Sequence, residues 1–184
     1  MQLTEHFTLD ELTESDTAII RLGIDNTPPD AVIENLKRTA QMGETIREIL
    51  SHIAGHEVII TVTSGFRCET LERVLCSADY SAWCARRILN QNPDSWANYL
   101  SHKAHPKGRA IDFKAYRFGS PFQIVRELQK HSDLMAEVDQ IIMEGVTDNH
   151  EGWVHASWSE TPRHEIMTAV FDAFGTPHYT RGLT

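Results

Sequence analysis

Residues 101–113 read Ser-His-Lys-Ala-His-Pro-Lys-Gly-Arg-Ala-Ile-Asp-Phe, and this stretch predicts both a local fold and a site. It holds His105 and Asp112, seven residues apart. An imidazole nitrogen and a carboxylate oxygen can bind one divalent metal ion, and zinc accepts this mixture of ligands in open catalytic sites. Residues 106–108 are typical of a tight turn, and residues 110–113 of the start of a buried strand. We therefore expect a turn and a strand to bring two metal ligands together.

A third ligand is expected from Trp-Val-His-Ala-Ser-Trp at 153–158. A His–Asp pair on its own is more often a structural hydrogen bond than a metal site, so a third ligand is needed. Alternation along a strand would place Trp153, His155 and Ser157 on one face. His155 is the candidate, and a water molecule is expected in the fourth position.

The composition predicts one soluble globular domain. With 184 residues, the chain is long enough for one hydrophobic core and short for two, so we expect a single domain over 1–184. Hydrophobic residues make up 41% and charged residues 23%, which is ordinary for this class. The net charge of −9 argues against nucleic-acid binding by a basic surface. No apolar run is long enough for a membrane span. From the charge and the absence of such a run, we expect neither nucleic acid nor a membrane as partner. The oligomeric state is left open.

Hydrophobic periodicity and turn residues divide the chain into elements. A lead-in covers 1–28, and a helical insertion covers 68–100. The predicted strands, dense in apolar residues, are 57–63, 110–115, 138–144 and 153–158. The predicted helices, with apolar residues at helical spacing or a cap, are 30–51, 71–88, 120–131 and 163–174. These elements predict an α+β fold in which helices pack on one face of a small, largely antiparallel sheet and the metal lies on the other.

Arg67 follows the first predicted strand, at the end of Ser-Gly-Phe-Arg (64–67). A guanidinium at this point could hold a substrate carboxylate through two parallel hydrogen bonds, which a lysine does poorly. It could equally be a surface arginine that pairs with an acidic neighbour. The residues alone leave both roles open.

Three motifs resemble those of the M15 family of zinc peptidases, in the same order: Ser-Gly-Phe-Arg at 64–67, His-x-x-Gly-x-Ala-x-Asp at 105–112 and Trp-Val-His at 153–155. Residues 6–12 and 179–183 also resemble a phage-associated branch. The resemblance implies a hedgehog/D,D-peptidase-like fold and zinc held by His105, Asp112 and His155. It implies cleavage of bacterial peptidoglycan peptides, by a D,D-carboxypeptidase or an L,D-endopeptidase. The matching arginine of the family lies beside the metal and helps to bind substrate or to stabilise the oxyanion.

A zinc peptidase also needs a carboxylate that takes a proton from water and passes it to the leaving amine. Glu144 is the favoured candidate, because it ends the predicted strand 138–144 beside His155 and matches an acidic residue in related metal sites. Glu151 is the alternative, four residues before His155, although relatives with Glu-x-x-His place this residue one position closer. The expected catalytic residues are therefore Glu144 and Arg67, with Glu151 as the other possible base.

The segment between Arg67 and His105 departs from compact members of the family, which join the two motifs through a short segment containing glycine. Here 37 residues intervene. The insertion has four aromatic residues that could form a substrate wall or pack the inserted helices, and packing is the favoured interpretation: Tyr80, Trp83, Trp96 and Tyr99. The cleaved bond, D,D or L,D, is left open because the insertion can reshape the cleft.

These features predict a zinc metallopeptidase that hydrolyses an amide bond in the stem peptides of bacterial peptidoglycan. The first residues show neither a basic region nor an apolar core, so we expect synthesis in the cytoplasm without a signal peptide. Such an enzyme would act at the cell wall after release, or as a component of a virion. The alternative function is a non-catalytic or weakly active M15-fold module of a virion, with a structural or binding role.

Overall fold

A six-stranded mixed sheet forms the centre of the computed structural model, which describes residues 1–145 and 152–184. The strands are β1 (Thr61–Ser64), β2 (Ala110–Lys114), β3 (Val138–Glu144), β4 (Trp153–Trp158), β5 (Glu165–Phe171) and β6 (Pro177–Arg181). Their order across the sheet is β1-β2-β4-β3-β5-β6. Neighbouring strands are antiparallel except β3 and β5, which run parallel. The α+β class and the largely antiparallel sheet are confirmed.

The α-helices of the described ranges are α1 (Leu9–Thr13), α2 (Asp30–Ala54), α3 (Glu69–Leu75), α4 (Ser77–Arg87), α5 (Pro93–Ser101), α6 (Pro121–Leu128) and α7 (Ser132–Glu137). A π-helix (Thr17–Leu22) follows α1, and a 3₁₀ turn (His105–Lys107) precedes β2. Within the ranges described, no helix combines the length and the apolar composition that crossing a membrane requires.

The longest helix, α2, follows Pro29 and ends before Gly55, whose φ of 71° is the left-handed conformation typical of a helix C-terminus. Its fully buried side chains include Leu36, Ile46 and Leu50. Each such side chain stabilises the fold by about 1.5–3 kcal/mol relative to an exposed one. The helix predicted at 30–51 is therefore confirmed, and it continues to Ala54.

One face of the sheet forms the main core with α2 and α6. Alternation along three strands directs these nearly fully buried side chains into that core: Ile111, Phe113, Ile141, Met143, Val154, Ala156 and Trp158. Nε1 of Trp158 donates to Oγ1 of Thr39 on α2 at 2.9 Å, so the helix is also tied to the sheet by a buried hydrogen bond. The opposite face is left free for Asp112 and His155.

The insertion contains three helices, α3, α4 and α5, where the sequence analysis predicted a helix at 71–88. Its four aromatic residues pack together with Cys84 in a separate small core: Tyr80, Trp83, Trp96 and Tyr99. Packing accounts for their burial, as predicted. The insertion nevertheless contributes residues to the cleft over the free face of the sheet. Helices therefore border both faces, whereas the sequence placed them on one.

The helix predicted at 163–174 is wrong, because these residues include β5, and β6 follows. Apolar residues at helical spacing misled the prediction, although the β-branched residues Ile166, Thr168 and Val170 alternate with the period of a strand. β5 pairs with β3, which would otherwise expose a row of unpaired backbone groups at the sheet edge. The conformation of this segment is therefore set by its neighbour in the sheet.

The observed boundaries of the other strands and helices differ less from the predicted ones. The strands predicted at 110–115, 138–144 and 153–158 match β2, β3 and β4 to within one residue. The strand predicted at 57–63 is shorter and displaced, as β1 begins only at Thr61. The helix predicted at 120–131 is confirmed as α6, which ends at Leu128.

Candidate metal centre

The three predicted ligands His105, Asp112 and His155 meet on the face of the sheet opposite to the main core. Their ligand atoms lie within 4.8 Å of one another, and all three residues are buried. Asp112 on β2 and His155 on β4 are direct cross-strand partners, which brings their side chains together. His105 comes from the turn before β2. This cluster could hold a metal ion.

The turn that brings His105 to the sheet depends on Gly108. Its φ of 66° lies in the left-handed region that favours glycine. A Cβ at this position would lie 2.7 Å from Cγ1 of Val32 on α2. The Gly108 carbonyl accepts a hydrogen bond from Oγ1 of Thr39, also on α2, at 2.7 Å. The predicted turn is therefore confirmed, and α2 fixes its position.

Asp112 presents one carboxylate oxygen to both imidazoles. Its Oδ1 lies 2.8 Å from Nδ1 of His155 and 3.2 Å from Nε2 of His105. Nδ1 of His105 donates to the carbonyl of Gly65 at 2.6 Å, a support typical of metal-binding histidines. A neutral His105 protonated on Nδ1 therefore faces Asp112 with a lone pair. Because a lone pair and a carboxylate repel unless a proton or a cation lies between them, the donor set fits a metal ion.

Arg67 holds the second oxygen of Asp112. Its Nη2 donates to Oδ2 at 2.7 Å, and its Nε donates to Oγ of Ser64 at 2.9 Å. Its Nη1 lies 3.5 Å from Oε2 of Glu72. Of the two roles left open by the sequence, the structure shows pairing with acidic neighbours, although the side chain is only 16% exposed and is not a surface arginine. Binding of substrate by Arg67 stays a prediction.

Burial and neighbouring charges shift the pKa of each group in the cluster. Burial would raise the pKa of Asp112, but the two histidines and Arg67 hold it well below its usual range. Burial, together with the charge of Arg67, lowers the pKa of His105. Burial would also lower the pKa of His155, but its hydrogen bond to Asp112 and the charge of that carboxylate raise it. At neutral pH, Asp112 is therefore ionised and His105 neutral, as metal binding requires.

Glu144 lies at the end of β3, beside the cluster. Its cross-strand partner is Trp153, which shares a strand face with His155. Nε1 of Trp153 donates to Oε2 of Glu144 at 2.9 Å. Burial, followed by the charge of Asp112, raises the pKa of Glu144. The favoured base thus has the predicted position, whereas the alternative base, Glu151, lies outside the described residues.

A cleft of about 670 Å³ opens over the cluster. Residues of α3, α4 and α5 line one side, and residues of β3, β5 and β6 line the other. On the strand side the rings of Trp153 and Phe171 pack with centroids 5.8 Å apart, and Tyr179 also lines the cleft. Clefts of this size bind ligands as large as a short peptide segment.

Sequence reasoning missed Glu72, the residue of α3 next to Arg67. It is 1% exposed, which is rare for a glutamate unless it is paired. The residues three, four and seven positions later, Leu75, Cys76 and Asp79, line the cleft with it. These residues lie on α3, at the junction residue Cys76 and in the first turn of α4, and they mix apolar and acidic side chains. Periodicity therefore gave no sign that they would face a site.

Comparison of the chain with models of protein families, with curated proteins and with solved structures finds no match. The resemblance to the M15 family therefore stays a prediction from short motifs. Arg67, His105, Asp112 and His155, which come from the three motifs, meet in one buried cluster.

Proposed function

We propose that this protein is a zinc-dependent peptidase, similar to the M15 family, that hydrolyses an amide bond in the stem peptides of bacterial peptidoglycan. The observation that supports this function best is the buried cluster of His105, Asp112 and His155 beneath a cleft, with Glu144 beside it. Two imidazoles and one carboxylate are a ligand set of catalytic zinc sites, which keep a further position open for water or substrate.

When bound, zinc supplies a Lewis acid that polarises the scissile carbonyl and makes a water molecule more acidic. The chain's own residues prepare this chemistry. Asp112 stays ionised because of its neighbours, and His105 is oriented by the Gly65 carbonyl. His155 is held by the strand register opposite Asp112. The site therefore needs little rearrangement to accept its metal.

Glu144 is the proton carrier in this proposal. Burial and the charge of Asp112 raise its pKa, which favours a group that takes a proton from water and keeps it until the leaving amine accepts it. Its Oε2 is held by Trp153, and among residues 1–145 and 152–184 its Oε1 has no hydrogen-bond partner. In this proposal, Oε1 is the oxygen that accepts the proton.

The substrate class follows from the motif resemblance, and the site of action follows from the substrate. A peptidoglycan peptidase acts at the cell wall, after release from the cell or as a component of a virion. Both walls of the cleft carry aromatic and charged side chains, so they can hold a peptide with both apolar and charged groups. They do not distinguish a D,D bond from an L,D bond.

The test is digestion of purified cell-wall fragments by the zinc-loaded protein, with the cleaved bond identified from product masses. Wild type should release stem-peptide products. Glu144→Gln should lower the rate by about 10²- to 10⁴-fold, because the proton carrier is lost, while zinc content and folding are retained. Glu137→Gln is the matched control, since Glu137 is exposed and ends α7, immediately before the start of β3 and away from Glu144.

Full activity in Glu144→Gln together with loss of activity in Glu151→Gln would move the base to Glu151 and leave the peptidase intact. If zinc-loaded wild type releases no stem-peptide product from the walls of several bacterial types, the proposed function is wrong. A non-catalytic module of a virion would then be the better account.

A further inference from the structure

We propose that Glu72, in the insertion, is a positioning residue of the metal centre: it holds Arg67, and Arg67 in turn orients Asp112 towards the two histidines. Metal affinity would then depend on a helix that compact members of the family do not need. This inference rests on the metal-binding part of the proposed function, and it is independent of the substrate.

Glu72 has the environment of a residue with a specific task. Its side chain is 1% exposed, and a buried carboxylate is costly unless it is paired and hydrogen-bonded. Its Oε2 lies 3.5 Å from Nη1 of Arg67, and its Oε1 accepts a hydrogen bond from Sγ of Cys76 at 3.2 Å. Burial and the charge of Glu72 raise the pKa of the Cys76 thiol to about 12, so the thiol keeps its proton and remains a donor. Both carboxylate oxygens are therefore engaged.

Arg67 connects Glu72 to the cluster through the geometry of its guanidinium. The group is a rigid plane with donors on three sides, so fixing two sides fixes the direction of the third. Ser64 accepts from Nε, and Glu72 lies against Nη1. The third side, Nη2, then points at Oδ2 of Asp112 at 2.7 Å. With Oδ2 held, Oδ1 is the oxygen that faces the imidazoles.

The charges of Glu72, Arg67 and Asp112 should favour metal binding, as their geometry does. Glu72 and Asp112 contribute two negative charges and Arg67 one positive charge, so the three groups together carry −1 beside the candidate metal position. Replacing Glu72 by Gln leaves a net charge of zero, with the cation of Arg67 less compensated. A divalent cation should then bind more weakly, because a nearby positive charge opposes it in a site with little solvent.

The simpler alternative is that Glu72 only anchors α3 to the rest of the fold. An anchor would affect the free energy of unfolding of the metal-free protein. It would not change the zinc dissociation constant of the folded protein, and its effect would not depend on Arg67. Zinc affinity and its coupling to Arg67 therefore separate the two roles.

The experiment measures the zinc dissociation constant by competition with a chelator, alongside thermal unfolding of the metal-free protein. Glu72→Gln should bind zinc about 10- to 100-fold more weakly, the usual effect of losing a residue that supports a metal ligand. Glu69→Gln is the matched control: Glu69 is on the same helix but contacts Trp96 and Arg73. Its zinc affinity should equal that of wild type. Wild-type affinity in a folded Glu72→Gln variant would overturn the inference.

A double-mutant cycle with Arg67→Gln tests the route. If Glu72 acts through Arg67, adding Glu72→Gln to a protein that already carries Arg67→Gln should change the zinc affinity little, whereas additive losses of affinity would overturn the inference.

If Glu72→Gln does not fold, Glu72→Asp tests the inference instead, since it keeps the charge but withdraws the carboxylate from Arg67 by one methylene. It should weaken zinc binding several-fold, and unchanged affinity would overturn the inference. Because no hydrolysis is measured, a protein that binds zinc without cleaving cell walls would contradict the proposed function alone.

Discussion

Asp112 is central to the candidate site because its two oxygens serve different partners. Oδ1 faces His105 and His155, while Oδ2 accepts from Arg67. The grouping of His105, Asp112 and His155 could be predicted from the sequence, because side chains with lone pairs at motif spacing suggest a metal site even before the fold is known. The burial of Glu72 against Arg67 could not, because the burial of one glutamate in a short helix leaves no sequence pattern.

Zinc binding should weaken as the pH falls below neutral, because His155 must lose its proton to bind. The hydrogen bond to Asp112 raises the pKa of His155 above the ordinary value of about 6.5. Above the raised pKa, zinc meets a neutral imidazole, and below it zinc must displace a proton. The apparent dissociation constant, measured by chelator competition, should therefore rise by about tenfold per pH unit below that pKa from this group alone.

A dissociation constant that is independent of pH between about 8 and 5.5, a range that spans the titration of histidine, would contradict the assignment of His155 as a ligand.

Elements whose patterns are local were predicted well, and elements that depend on distant partners were not. The long helix α2 and the strands β3 and β4 follow from periodicity within their own residues. β5 was predicted as a helix, because its strand conformation is determined by pairing with β3. The turn 106–108 was predicted from its proline and glycine, but its contact with α2 was not.

Gly108→Ala should lower the free energy of unfolding and also weaken zinc binding, because the turn sets the position of His105. The left-handed conformation alone costs a non-glycine residue roughly 1–2 kcal/mol. At Gly108 the new Cβ would also lie 2.7 Å from Val32, so the helix or the turn must move. Urea unfolding of the metal-free protein and chelator competition measure the two effects.

Gly55→Ala is the matched control, since Gly55 has a φ of 71° but no neighbouring heavy atom within 4 Å of the point that a Cβ would occupy. It should lose only the conformational part of the stability and keep its zinc affinity. Equal losses of stability in both variants, with unchanged zinc affinity in Gly108→Ala, would show that contact with α2 does not position the turn.

At the scale of the whole molecule, the two faces of the sheet have different roles. One face forms the main core with α2 and α6, and the other face holds the cluster under a cleft. The sequence predicted this division, because alternation along 153–158 separates His155 from the core residues. It did not predict the walls of the cleft, which come from the insertion and from β5 and β6, since their placement depends on long-range contacts.

Elemental analysis of protein purified without added metal tests the central claim most directly. We predict one zinc per chain in wild type, and little or no zinc when a ligand is removed in His105→Ala, Asp112→Ala or His155→Ala. His102→Ala is the matched control, because His102 is exposed and lies three residues before His105, and it should keep its zinc. A zinc content near zero in wild type that added zinc does not restore, or full zinc content in the three ligand variants, would contradict the metal centre.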